Sequence, residues 1–80
     1  HPGLVTLLTN GPGYGSVMLE ENNALSLVYT MNEYATKETV VLQPGSYRVV
    51  YRPKNSRGSE FTISKPFRIT SGTSITLSIN

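Results

Sequence analysis

Residues 38–52 read ETVVLQPGSYRVVYR, and the organisation of the whole chain can be worked out from this run. On both sides of Pro44-Gly45, side chains alternate between two faces with a period of two residues, which is typical of β-strands. Pro44 presets φ for the first central position of a turn, and Gly45 can adopt the positive φ that a type II turn needs at the second. The run therefore predicts a β-hairpin whose apolar face must be covered by a second layer, most simply another sheet.

Length and composition restrict what the rest of the chain can be. Eighty residues form one domain, and its His-Pro-Gly start suggests a piece cut from a larger protein. With no Cys and no Asp, disulfides, thiolate metal sites and the usual calcium loops are excluded, and we expect no metal or other cofactor. A net charge of +2 is too small to indicate a nucleic-acid partner. The sequence contains no long apolar run, so insertion into a membrane is not predicted.

Turn-forming residues divide the chain into short strands. Asn10 to Gly15 holds three glycines and a proline, which predicts a loop; no helix pattern or Lys-Ser/Thr pair follows to make it a phosphate loop. Glu21-Asn22-Asn23 predicts the turn of a second hairpin, and Ser71-Gly72 predicts the last turn. The predicted strands cover residues 3–9, 16–20, 25–31, 39–43, 47–52, 61–69 and 74–79.

These strands predict an all-β fold, a seven-stranded antiparallel β-sandwich of Ig-like or transthyretin-like type, with a small barrel as the alternative. Pro66 interrupts the alternation of its strand, which predicts a position at a sheet edge. We expect the isolated domain to be a monomer. The predicted core consists of Leu7, Val17, Leu19, Leu27, Tyr29, Val40, Leu42, Tyr47, Val49, Phe61, Phe67, Ile69, Ile75 and Leu77.

A basic patch is the first candidate site. Arg48 and Arg52 are four residues apart on one strand and so share a face, with Lys54 and Arg57 in the loop that follows. Arginine binds carboxylates and sulfates through two parallel hydrogen bonds, so the patch could dock an acidic partner or an anionic glycan. The alternative is an ordinary solvated sheet surface, partly paired with Glu38 or Glu60.

Two tyrosines are the second candidate site. Tyr14 and Tyr34 are predicted to lie on loops, where β-sandwich carbohydrate modules place the aromatic rings that stack on sugars. The alternative is that both rings pack over the ends of the sandwich. No catalytic group is predicted, because His1 is the only histidine and Glu20 and Glu21 are adjacent residues that would face opposite sides of a strand.

Two segments carry a resemblance to a known kind of module. These are Leu42-Gln-Pro-Gly-Ser-Tyr-Arg-Val-Val-Tyr51 and Phe67-Arg-Ile-Thr-Ser-Gly-Thr-Ser-Ile-Thr-Leu77. Together with the opening Gly-Leu-Val-Thr-Leu and Gly-Tyr-Gly-Ser-Val-Met-Leu, they resemble PEGA and carboxypeptidase-regulatory (transthyretin-like) accessory β-domains. The chain is also similar to the carboxy-terminal β-sandwich of von Willebrand factor A proteins of Bacteroides-type bacteria.

The resemblance implies a function that the residues alone do not name. Modules of this kind lie outside the cytoplasm, in the periplasm or at the cell surface, and are not catalytic. The implied role is that of a spacer or docking domain that contacts a neighbouring domain of the parent chain, or another surface protein. In the von Willebrand factor A proteins that neighbour is a metal-dependent adhesion domain.

Overall fold

The computed structural model describes residues 1–54 and 62–80. Alternating side chains produce seven strands in the described residues, and no helix occurs among them. Phe61 and Arg57, which were predicted to lie in the core and in the basic patch, fall outside the described residues. The strands are β1 (Gly3–Leu8), β2 (Gly13–Glu21), β3 (Ala24–Thr30), β4 (Lys37–Leu42), β5 (Gly45–Pro53), β6 (Ile63–Ile69) and β7 (Ser74–Ser78).

The strands form two sheets. The three-stranded sheet has the order β4-β1-β7, and the four-stranded sheet has the order β3-β2-β5-β6. All neighbours in the four-stranded sheet are antiparallel, whereas β1 and β7 are parallel. The prediction of an entirely antiparallel fold is therefore wrong for this pair, because the alternation within a strand carries no information about the direction of its neighbour.

Residues from both sheets form one hydrophobic core. Val5, Leu7, Val17 and Val49 are fully buried at its centre. Along β1 every second residue is buried, so this strand has one solvent face and is not covered on both sides. The other buried hydrophobic residues are Met31, Val40, Leu42, Tyr47, Tyr51, Ile69 and Ile79.

Most of the predicted core is confirmed, with one clear error. Seven predicted residues are buried, and Leu19, Tyr29, Phe67, Ile75 and Leu77 are partly buried against them. Leu27 is wrong, because its side chain is 59% exposed. The cause is a β-bulge: Val17 pairs with Tyr29, but the next residue, Met18, pairs with Leu27 and skips Val28. The extra residue moves Leu25 and Leu27 to the opposite face from Tyr29.

The predicted hairpin around Pro44-Gly45 is also wrong. β4 and β5 belong to different sheets, so the chain turns a corner there and crosses from one layer to the other. Gly45 has φ of 159°, an almost extended value and not the one near +80° that a type II turn requires. The Tyr47 hydroxyl donates a hydrogen bond to the Gln43 carbonyl at 2.6 Å and closes the corner.

The other local predictions are confirmed or corrected by the strand bounds. β2 and β3 form the predicted hairpin around Asn22 and Asn23. β6 is an edge strand as Pro66 predicts, although its alternation continues through the proline without interruption. The predicted loop over residues 10–15 is too long, because β2 already begins at Gly13.

Candidate functional site

Strand register brings two of the predicted site residues together on the outer face of the four-stranded sheet, the face turned away from the core. Tyr14 of β2 lies directly opposite Arg52 of β5. Tyr14 is thus a strand residue and not a loop residue as predicted. Their neighbours in sequence, Gly13, Gly15 and Tyr51, are buried, so alternation directs both Tyr14 and Arg52 to the outside.

Arg52 stacks on Tyr14. The guanidinium carbon lies 5.3 Å from the centroid of the ring, within the range of a cation–π interaction. Tyr14 remains 45% exposed and Arg52 is exposed as well. Among residues 1–54 and 62–80, no carboxylate forms an ion pair with Arg52. The stacked ring therefore orients a guanidinium whose charge is not neutralised within the described part of the chain.

The second tyrosine is joined to the same cluster by Lys54. Its Nζ lies 4.0 Å from the ring centroid of Tyr34 and donates to the Tyr34 hydroxyl at 2.7 Å. It also forms an ion pair with Glu33 at 3.2 Å and lies 5.9 Å from the ring centroid of Tyr14. Backbone hydrogen bonds hold both partners of this ion pair: the Lys54 amide donates to the Pro12 carbonyl, and the Glu33 carbonyl accepts from the Gly13 amide.

The charges of this second group balance one another. Hydrogen bonds from Lys54 and then from Tyr34 lower the pKa of the Glu33 carboxyl. The bond to Tyr34 and then the bond to Glu33 raise the pKa of the Lys54 ammonium. Glu33 is therefore ionised and Lys54 protonated at neutral pH. Because Lys54 already has an anionic partner, Arg52 carries the net positive charge of the cluster.

A pocket of about 480 Å³ opens beside Arg52. This volume lies within the range that small-ligand sites occupy. The residues that line it carry hydroxyl groups, an aromatic ring, a guanidinium and one carboxylate, that of Glu33. Lys54 already pairs with this carboxylate, so the pocket offers hydrogen-bond donors and the Arg52 cation to a visiting group. The lining residues are Tyr14, Gly15, Ser16, Thr30, Met31, Glu33, Val50, Tyr51, Arg52 and Thr62. We refer to this site as the Tyr14–Arg52 pocket.

Arg48 shares the outer face with Arg52, as predicted, but its charge is neutralised. Its Nε lies 3.6 Å from Glu20 Oε2, and Nη1 donates to Ser64 Oγ at 3.0 Å. The carboxylate partner is Glu20 and not Glu38, which lies in the other sheet. The predicted basic patch thus divides into a paired arginine, an arginine with no described acidic partner and a paired lysine, with Arg57 outside the described residues.

Sequence reasoning missed four contributors to the pocket: Glu33, which neutralises Lys54, and the hydroxyl groups of Ser16, Thr30 and Thr62. Their participation depends on cross-strand register, since Ser16 pairs with both Thr30 and Val50. Alternation alone could have placed Ser16 on the same face as Tyr14, two residues earlier in the strand. No local signal marks Glu33.

The comparisons with known proteins leave the family open. Within the described residues, no three His or Glu side chains lie together as a metal site would require. No helix long and apolar enough to cross a membrane occurs in that part of the chain. The sequence matches no family model and no curated protein.

Proposed function

We propose that this chain is a non-catalytic accessory module that binds an acidic partner through the Tyr14–Arg52 pocket. The observation that carries the proposal is the exposed Arg52 guanidinium, which stacks on Tyr14 and has no acidic partner among the described residues. The partner would be a neighbouring domain of the parent chain or another surface protein. A carboxylate on that partner would complete the charge balance of the site.

The chemistry of the site favours a carboxylate. A guanidinium presents parallel N–H donors that match the two oxygens of a carboxylate, and such charge-assisted bonds are about twice as strong as neutral ones. Stacking on Tyr14 restricts the rotation of Arg52 before the partner arrives, so less conformational entropy is lost on binding. The hydroxyl groups of Ser16, Thr30 and Thr62 supply further polar contacts in the pocket.

We infer that the two sheets form a β-sandwich of Ig-like or transthyretin-like type. The shared core of the two sheets supports this assignment. So does the Tyr47 hydroxyl that bonds the backbone four residues upstream at the corner between β4 and β5, because a tyrosine closing a corner in this way is a feature of Ig-like sandwiches. The sequence resemblance to PEGA-like and transthyretin-like accessory domains supports the same fold.

The same resemblance supports a place for the module in a bacterial surface or periplasmic protein. The role implied by the resemblance is that of a spacer or docking domain that contacts a neighbouring domain of a larger chain. We propose that here the outer face of the four-stranded sheet has this role. Identification of the parent chain would test this placement directly, above all whether an Asp-x-Ser-x-Ser metal motif precedes the module.

Binding of a hexaglutamate peptide, measured by isothermal titration calorimetry at 50 mM salt, tests the acidic-partner proposal. Arg52→Gln is expected to weaken the affinity about 10-fold, which corresponds to roughly 1.4 kcal/mol. Because Arg52 is exposed, its replacement should change the free energy of unfolding by no more than about 0.5 kcal/mol. Affinity of the unmodified chain should fall as salt rises to 500 mM.

Arg68→Gln is the matched control. Arg68 is an exposed arginine of the same sheet, but it donates to Ser46 and does not line the pocket. The Arg68→Gln substitution removes the same charge as Arg52→Gln. Equal weakening by the two variants would therefore show that the affinity depends only on the net charge of the module. That outcome, or no binding by the unmodified chain, would contradict the proposal.

A carbohydrate-binding module is the second candidate function. The observation in its favour is that Tyr14 and Tyr34 remain 45% and 66% exposed, and that Tyr14 lines a pocket together with several residues that carry hydroxyl groups. Against it, Arg52 and Lys54 lie over the two rings and occupy a face of each. Binding of a neutral oligosaccharide that is lost on Tyr14→Ala or Tyr34→Ala, but kept on Arg52→Gln, would favour this function over the first.

A further inference from the structure

Within the described residues, the two sheets have four edges at which no further strand is paired. β4 and β7 are the edges of the three-stranded sheet, and β3 and β6 are the edges of the four-stranded sheet. An edge strand presents unpaired backbone N–H and C=O groups that another strand can bind. Natural proteins prevent this with charged side chains and proline at the edge, so the distribution of these residues shows which edge is available for pairing.

Three of the four edges carry such protection. β6 contains Lys65, Pro66 and Arg68, and β4 contains Lys37 and Glu38. β7 has no charge of its own, but a charged side chain from β6 reaches across to it. Lys65 points inward from β6, and its Nζ donates to the Ser78 carbonyl at 2.9 Å.

β3 has neither kind of protection. Its sequence, Ala-Leu-Ser-Leu-Val-Tyr-Thr, contains no charged residue and no proline. Leu25, Leu27 and Val28 are 47%, 59% and 44% exposed. Within the described residues, the backbone of β3 is hydrogen-bonded only to β2 and, by the order of the sheet, its other side is free.

The turn before β3 determines which backbone groups point to the free side. Asn22 and Asn23 have φ of 52° and 62°, the signature of a two-residue type I′ hairpin turn. In such a hairpin the flanking residues, Glu21 and Ala24, form a hydrogen-bonded pair. The backbone N–H and C=O groups of every second residue point in the same direction, so those of Ala24 and Ser26 bond to β2. The N–H and C=O groups of Leu25 and Leu27 therefore point to the free edge.

We propose that β3 pairs with β3 of a second copy of this chain, antiparallel and with the two-fold axis at Ser26. In this register Leu25 of one copy lies opposite Leu27 of the other, and each pair exchanges two backbone hydrogen bonds. Four leucines then form one apolar cluster on the outer face. Met18, which lies beside Leu27 within each copy, extends the cluster at both ends.

The composition of β3 favours a second copy as the occupant. Each copy carries a formal charge of +2, but β3 itself contains no charged residue, so pairing two β3 strands places no like charges of these strands next to each other. In the two-fold arrangement the backbone donors of each copy bind the acceptors of the same strand in the other copy. An isologous dimer uses the same surface of both subunits in this way. The bulge at Val28 ends the pairing after residues 24–28, because the ladder shifts there. This proposal departs from the monomer expected from the sequence, and it does not depend on the Tyr14–Arg52 pocket.

Sedimentation equilibrium of the full chain tests the association. A single strand pair is a small interface, so dimerisation is expected between about 10 µM and 1 mM. Over that range the average mass should rise from 8.8 kDa toward twice that value. Leu27→Lys should keep the mass at that of the monomer. The control Val41→Lys, at a 63% exposed valine on the edge strand of the other sheet, should still dimerise.

A single cysteine tests the register, because the chain contains no other. At the two-fold axis Ser26 faces its own copy as a non-hydrogen-bonded pair, with about 4.5 Å between Cα atoms, which a disulfide can span. Ser26→Cys should therefore oxidise to a covalent dimer, and Ser74→Cys on β7 should not. A monomeric unmodified chain at 1 mM, equal loss of the dimer in both lysine variants, or a Ser26→Cys variant that does not cross-link would overturn the proposal.

Discussion

Gly13 shows how a single residue fixes the start of β2. A Cβ atom at this position would overlap the ring and hydroxyl of Tyr51, whose hydroxyl donates to the Gly11 carbonyl at 2.8 Å. Gly13 therefore makes room for a buried aromatic side chain, and this explains its presence in a strand, where glycine is otherwise unfavourable. A Cβ atom at Gly15 would likewise overlap the sulfur of Met31.

Replacement of Gly13 by alanine should accordingly destabilise the fold. We expect Gly13→Ala to lower the free energy of unfolding by about 1 to 3 kcal/mol, because Tyr51 must move out of a close-packed position. Gly11→Ala is the control, since a Cβ there would have no neighbour within 4 Å. Urea unfolding of both variants measures the difference. Equal stability of the two would show that Tyr51 does not restrict β2.

Tyr29 and Glu38 connect the two sheets through one carboxylate. The Tyr29 hydroxyl donates to Glu38 Oε2, and the Asn32 amide donates to Oε1 at 2.8 Å. The hydrogen bond from the Tyr29 hydroxyl to Glu38, followed by burial of Tyr29 and the negative charge of Glu38, raises the pKa of Tyr29 above its usual value near 10. The neutral phenol is thus favoured in the folded state.

This raised pKa predicts how stability depends on alkaline pH. A group whose folded pKa exceeds its unfolded pKa contributes stability that is fully present below the unfolded value and is lost as pH rises through the folded value. The stability difference between the unmodified chain and Tyr29→Phe should therefore be constant from pH 7 to 9 and shrink above about pH 10. Urea unfolding at several pH values measures it. A difference that persists unchanged to pH 11 would contradict the role of this bond.

The hairpin of β2 and β3 illustrates what can be predicted for an element. Turn residues at 21–23 correctly located the hairpin, because two asparagines tolerate the positive φ of a type I′ turn. The bulge at Val28 could not be predicted, since Leu25, Leu27 and Tyr29 keep a perfect alternation in sequence. Only the pairing with β2 reveals that Tyr29 faces inward while the two leucines face outward.

Asn23 gives a test of the turn. A β-branched residue is strongly disfavoured at a φ of 62°, so Asn23→Val should lower the free energy of unfolding by about 1 to 2 kcal/mol. Asn23→Gly is the control, because glycine adopts this conformation without steric strain and should be at least as stable as the unmodified chain. Thermal unfolding distinguishes them. If valine were tolerated as well as glycine, the turn would not be of type I′.

At the scale of the whole molecule, alternation predicted seven strands and most of the core, but not how the strands associate. The segment around Pro44-Gly45 has the composition of a hairpin turn and instead carries the chain between the sheets. Both arrangements direct Leu42 and Tyr47 into the core, so burial patterns cannot separate them. The choice depends on long-range pairing, with β4 bonding to β1 and β5 to β2.

The candidate site was predictable in its residues but not in its arrangement. Tyr14, Tyr34, Arg52 and Lys54 were singled out as two separate sites, and the structure brings all four into one cluster. Their proximity arises from the register of β2 on β5 and from the loop that carries Tyr34. Neither is encoded in the spacing of these residues along the chain.

The most direct test of the acidic-partner pocket is an NMR titration of the ¹⁵N-labelled chain with hexaglutamate, alongside a neutral oligosaccharide. Binding in the Tyr14–Arg52 pocket predicts saturable amide shifts with hexaglutamate at Tyr14, Ser16, Thr30 and Arg52, few shifts in β1, β4 and β7, and none with the neutral sugar. Shifts confined to the three-stranded sheet, or saturation by the neutral sugar alone, would contradict the account.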